Sequence, residues 1–238
     1  MTKKDSLTRY SEITAKNKRE IVLLRGTGCK WRRCTFCDYH LDFHLDPDSN
    51  FALNRNVLKQ VTGKYGKLEV INSGSFVDLD EQTVRLILQT CIEKQILEIH
   101  FECHWMHRDA VPALRKNFEA HGIRVKLKIG VETFDAPYRE QVLCKGIDEQ
   151  SPAKIAACFD EVCLLFGFNG QTEESMRYDI ETGLANFERV CINIMVENTT
   201  KIKPDASVID IFMKTLYPVY AGNERIDILL NNTDFGVG

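Results

Sequence analysis

Three cysteines, Cys29, Cys34 and Cys37, crowd into the stretch GCKWRRCTFCDYH. Spaced C-x4-C-x2-C, their thiolates can converge on one soft metal centre, and sulfur-rich sites favour zinc or iron–sulfur clusters. Three ligands leave one iron of a [4Fe-4S] cluster open, which such a cluster needs in order to bind and reductively cleave an external molecule. A zinc knuckle completed by His40 is the competing reading of the same residues. Two features favour the cluster. The loop follows the first strand of a sizeable α/β chain, and Phe36, directly before the last cysteine, suits a face packed against a flat ligand.

The other six cysteines, Cys91, Cys103, Cys144, Cys158, Cys163 and Cys191, are scattered and lie mostly in apolar runs. They read as small buried hydrophobes. Nine cysteines cannot all pair within one chain, so a disulfide framework is not expected. His40 and His44, with Asp38 and Asp42 near them, read as a solvated helix start. His104 and His107, in FECHWMH, could touch a diol or shuttle a proton, with packing as the plainer alternative.

The elements that must position these residues alternate regularly. Strands are predicted at EIVLLRG (20–26), KLEVINSG (67–74), ILEIHFEC (96–103), VKLKIGVET (125–133), EVCLLFGF (161–168), RVCINIMVE (189–197) and RIDILLNN (225–232). Between them lie helical patterns: 54–65, a run capped by Asp80, 109–122, 136–146, a short one opening at Pro152, 172–187, and 205–222 broken at Pro218. Such alternation implies parallel βαβ units. Seven units fit a partial to nearly closed (β/α) barrel of six or seven parallel strands, with a doubly wound sheet as the rival. In both, chemistry gathers at the carboxyl ends of the strands.

Composition narrows the class further. With 238 residues, 44% apolar and 27% charged, the chain is expected to bury one core as a single domain. Residues 1–19 read as an N-terminal extension, 20–200 as the core and 201–238 as a C-terminal segment. A net charge of −3 gives no general reason to expect a nucleic-acid partner. No apolar run approaches the roughly 20 residues that span a bilayer, and the N-terminus does not read as a signal peptide. A cytoplasmic location is expected.

The cysteine loop after the first strand resembles the radical SAM (S-adenosylmethionine) superfamily, although the commonest family spacing has one residue fewer in the first gap. Later strand ends are similar to the family in the same order, over roughly residues 20 to 200. INSGSFVD matches its small-residue loop, so Ser73, Gly74 and Ser75 would receive the methionine ammonium of SAM; the acidic third position of the commonest form is missing. Glu102, ending the third strand, would lie near the barrel mouth. GVETFDAPYREQVLCKG is similar to a family stretch in which Glu132 would accept the ribose hydroxyls and Arg139 would pair with the SAM carboxylate. LLFGFNGQTEE resembles a turn whose backbone meets adenine. The resemblance implies two cofactors, a [4Fe-4S] cluster on Cys29, Cys34 and Cys37 and SAM beside Phe36, with a flavodoxin- or ferredoxin-like electron donor.

The same loop is similar to radical SAM proteins acting on 7-deazaguanine compounds, and length and pattern look most like the queuine lyases of bacterial queuosine salvage. That resemblance implies a lyase that breaks a carbon–nitrogen bond in queuine and releases 7-aminomethyl-7-deazaguanine (preQ1). Modification of tRNA-borne deazaguanine, as in the archaeosine branch, and a non-enzymatic zinc module are the alternatives. The far strands would hold the substrate: Asn193 and Glu197 at the sixth, Asn231, Asn232 and Asp234 after the seventh, with His104 from the third. Asp234 is the first choice for the guanine-like edge.

Overall fold

The computed structural model describes residues 7–238, apart from the His40 side chain. The chain divides into two compact units, one comprising Met1–Arg32, Tyr39–Leu127 and Phe235–Gly238, the other Arg33–Asp38 and Lys128–Asp234.

In the first unit, β1 (Tyr10–Ile13) runs antiparallel to β2 (Arg19–Leu24), and β3 (Lys67–Asn72) and β4 (Glu98–Glu102) follow in parallel. Alternate residues of the strands point to opposite faces. One face carries the apolar core, with Val22, Leu24, Leu68, Val70, Ile99 and Phe101 at 0–1% exposure. Each such side chain contributes about 1.5–3 kcal/mol by leaving water. The other face is polar in places: Arg19 and Glu69, each 2% exposed, form an ion pair at 2.5 Å. The helices of this unit are α1 (Pro47–Leu58), α2 (Glu81–Glu93) and α3 (Val111–Glu119). Asp80 caps α2 as expected, accepting the Thr83 N–H at 2.7 Å.

In the second unit, β5 (Arg124–Glu132), which begins in the first, is followed in parallel by β6 (Glu161–Phe166), β7 (Arg189–Ile194) and β8 (Ile226–Leu229). Its helices are α4 (Ala136–Gln141), α5 (Pro152–Ala156), α6 (Glu173–Asn186), α7 (Ala206–Ile211) and α8 (Tyr217–Tyr220).

All seven expected strands form, but the N-terminal extension adds β1, an antiparallel strand not anticipated. Helix α1 starts earlier than 54, because Asp46 caps it and Pro47 occupies its first turn. The run after Ala206 does not break at Pro218. It passes through a π-helical stretch, Phe212–Leu216, into α8, where Pro218 sits in the first turn. Of the six scattered cysteines, Cys91, Cys103 and Cys191 are buried, while Cys144, Cys158 and Cys163 are only partly so.

Candidate active site

In the first unit the cysteine loop opens against the β3 carboxyl end. Gly26 lies so close to Asp78 that a Cβ there would sit 2.5 Å from the Asp78 carbonyl oxygen, and Thr27 N–H donates to that oxygen at 2.9 Å. Gly28 takes φ +91°, a conformation only glycine adopts without strain. Cys29 N–H then donates to the Ser73 carbonyl at 3.2 Å. The first cysteine and the S-G-S turn are thus brought into contact.

The turn is held from behind. Asp78 accepts the Ser75 N–H at 2.8 Å, Asn72 Nδ2 donates to the Ser75 carbonyl at 3.0 Å, and Ser75 Oγ accepts the His104 N–H at 2.9 Å. Asp78 is 2% exposed, and its Oδ1 lacks a hydrogen-bond partner among the described residues. Burial raises its pKa above the ordinary aspartate value, against the Ser75 hydrogen bond and the charges of His107, Lys30 and Arg32. The His104 ring stacks on Trp31 at 5.3 Å, with 23° between planes, and its Nδ1 accepts the Met106 N–H at 3.2 Å. Glu102, half-buried, is the last residue of β4.

In the second unit Phe36 packs on Leu143, Leu165, Phe168 and Met195. Its loop is pinned by Thr35 N–H to the Leu143 carbonyl at 3.1 Å and by Asn198 Nδ2 to the Phe36 carbonyl at 2.7 Å. Glu132, at the end of β5, has φ +70° beside a register shift against β6. Strain of this kind clusters at functional positions. Its Oε1 accepts Lys145 Nζ at 2.7 Å, with the two side chains 8% and 11% exposed. Burial alone would lower the Lys145 pKa, but Glu132 and the Cys34 and Cys37 thiols outweigh it and hold the ammonium charged.

Arg139 is fully buried. It donates to Glu140 Oε1 at 2.8 Å and to the carbonyls of Ile147 and Glu149 at 3.3 and 2.8 Å, while Nη1 has no partner among the described residues. In this structure the guanidinium staples the 144–149 loop.

The far-strand residues differ in setting. Asn193, half-buried, shares a row with Leu165 and Leu229 across β6, β7 and β8. Glu197 is 70% exposed and paired with Lys203 at 2.6 Å. Asp234 is exposed and accepts the N–H groups of Leu230 and Asn231 at 2.7 and 2.9 Å, closing the turn that also holds Asn231 and Asn232. Gln171 is occupied within its own turn, accepting from Gly167 N–H and donating to the Leu165 carbonyl.

Sequence reading missed Asp78 and Lys145. Asp78 carried a signal, since S-x-x-D is a capping-box spacing. Lys145 carried none before its partner Glu132 was placed.

The nine cysteines are free thiols. Cys29, Cys34 and Cys37 are all partly exposed, and three such thiols are a complete donor set for a cluster with one open iron. Among the described residues no three His, Cys, Asp or Glu side chains form a preassembled metal-binding group. The fit therefore rests on the donor types and their spacing. The zinc alternative needs the His40 side chain, which lies outside the described residues. Among the described residues no helix is long and apolar enough to cross a membrane.

No family model matches the chain, and no curated protein does. Among solved structures, a queuine lyase from Clostridium spiroforme bound to SAM and queuine is similar over 98% of this chain and 100% of that one, at 41% sequence identity and a TM-score of 0.94. A Bacillus subtilis chain described as a sporulation-specific glycosylase aligns over 86% of this chain and 76% of that one at 9% identity; its TM-score of 0.34 carries no argument. The first likeness bears out the expected fold class, α/β of the partial radical SAM barrel type.

Proposed function

The chain belongs to the queuine lyase family of radical SAM enzymes, and from that membership we propose that it cleaves queuine and releases preQ1. The observation that carries this reading is 41% identity along essentially the whole of both chains, with superposable folds. The tRNA-modifying and zinc-module alternatives are not favoured by that match.

When bound, the cluster and SAM supply a 5′-deoxyadenosyl radical that takes a hydrogen atom from the substrate. The chain's own residues do the holding. We assign Cys29, Cys34 and Cys37 as cluster ligands, with the glycine-rich approach at Gly26 and Gly28 letting the loop enter the β3 end. Ser73, Gly74 and Ser75 present the backbone that receives the SAM ammonium, stiffened by Asp78 and Asn72. Glu132 offers its carboxylate to the ribose hydroxyls, its orientation set by Lys145. Glu102, at the β4 end, is assigned to SAM, and Asn193 and His104 are assigned to the substrate. Glu197, Asn231, Asn232 and Asp234, all exposed, are assigned to the substrate as well, with residues 201–238 as the substrate-side segment. Arg139 supports the SAM side through the 144–149 loop. A flavodoxin- or ferredoxin-like protein delivers the electron, and nine free cysteines accord with a reducing cytoplasm.

Anaerobic reconstitution with iron and sulfide, then reduction with SAM with and without queuine, tests the reading by mass spectrometry. Queuine-dependent preQ1 together with 5′-deoxyadenosine is the expected result. 5′-Deoxyadenosine without preQ1 would move the substrate assignment elsewhere.

A further inference from the structure

We propose that Lys145 is a positioning residue that fixes Glu132 and sets the reduction potential of the cluster through its charge beside Cys34 and Cys37. The inference rests on the cluster assignment made above and deepens it.

Five features of the second unit converge on this lysine. It is 11% exposed, and its ammonium bonds Glu132 Oε1 at 2.7 Å. A Cβ at Gly130 would lie 2.5 Å from that Oε1 and 2.9 Å from Lys145 Nζ, so the strand keeps a bare backbone position under the pair. The Phe36 ring, next to Cys37 in the chain, lies 5.5 Å beneath the ammonium. Thr35, between Cys34 and Cys37 in the chain, bonds the segment leading into Lys145, its Oγ1 donating to the Val142 carbonyl at 2.7 Å and its N–H to the Leu143 carbonyl at 3.1 Å. Finally, the backbone that carries it is built for one position. Cys144 takes φ +53° and Gly146 φ +72°, Gly146 N–H donates to Glu140 Oε2 at 2.7 Å, and Lys145 N–H donates to the Arg139 carbonyl at 3.1 Å. Arg139, fully buried, staples the same loop through the carbonyls of Ile147 and Glu149.

This geometry explains a buried cation that no hydrophobic packing requires. Reducing a cluster adds negative charge, and a fixed cation in a low-dielectric setting stabilises the reduced form. Glu132 opposes part of that field, so the two residues must act with opposite sign. A purely structural lysine would show no such sign rule.

The test uses anaerobically reconstituted full-length protein without SAM or queuine, titrated by EPR against redox mediators. Lys145→Met should lower the ratio of reduced to oxidised cluster at a fixed potential about tenfold, which for a one-electron couple is about 59 mV toward more negative values. Lys145→Arg should restore the wild-type potential, and Glu132→Gln should shift it the other way. Equal potentials in wild type, Lys145→Met and Glu132→Gln would overturn the inference while leaving the cluster in place. A wild-type chain that takes up no cluster would overturn the ligand assignment and the inference with it. If Lys145→Met does not fold, Lys145→Arg and Glu132→Gln decide the matter: an unshifted Glu132→Gln refutes the charge argument by itself.

Discussion

Asp179 lies on α6, 2% exposed, and its Oδ1 accepts the Phe134 N–H at 2.7 Å, fixing the chain two residues after Glu132. Burial lifts its pKa from 3.8 to about 6, against the hydrogen bonds from Phe134 and Thr133. Between those values the native state holds a proton that the unfolded state has released. Stability therefore falls as pH rises from about 4 to about 6, then stays level with respect to this group. About two units at about 1.4 kcal/mol each set an upper bound of about 3 kcal/mol. Asp179→Asn keeps an acceptor for Phe134 and removes the titration. The stability of the variant relative to wild type should grow across that window by up to about 3 kcal/mol, or about 6–12 °C in Tm for a chain of this size. Urea and thermal unfolding of both proteins at pH 4, 5, 6 and 7 measure it. A difference that is flat with pH, or that shrinks as pH rises, would refute the argument from burial.

Replacing Cys29, Cys34 or Cys37 by alanine, one at a time, should abolish iron and sulfide incorporation and 5′-deoxyadenosine formation; full iron content in any one of them removes that residue from the ligand set. Asp78→Ala leaves the buried Ser75 N–H without its acceptor and should cost about 1–3 kcal/mol of stability, with weaker SAM binding by calorimetry. An unchanged melt and unchanged SAM affinity would show that the Ser73–Ser75 turn holds itself. Asn193→Ala should weaken queuine binding about tenfold, about 1.4 kcal/mol, and leave SAM affinity alone; a SAM defect instead would place Asn193 on the wrong ligand.

The sequence determined the parts of this protein whose cause is local. Cysteine spacing needs no fold to be legible, because three thiols within one loop can reach a common metal wherever the loop lies. Alternation of β-branched runs with helical periodicity likewise announced the seven strands, and Asp80 and Thr172 marked helix starts through caps that act within three residues. Tertiary structure decided the rest. That Glu132 would be held by Lys145, thirteen residues on, depends on a bulged strand end and a loop whose conformation is set by Arg139 and Glu140. That Asp78 would brace the S-G-S turn against Cys29 depends on Gly26 letting two backbones approach closely. That Asp234 would close a turn and Arg139 would staple the 144–149 loop depends equally on the folded chain. Burial and hydrogen-bond satisfaction are properties of the assembled chain, and no window of residues contains them.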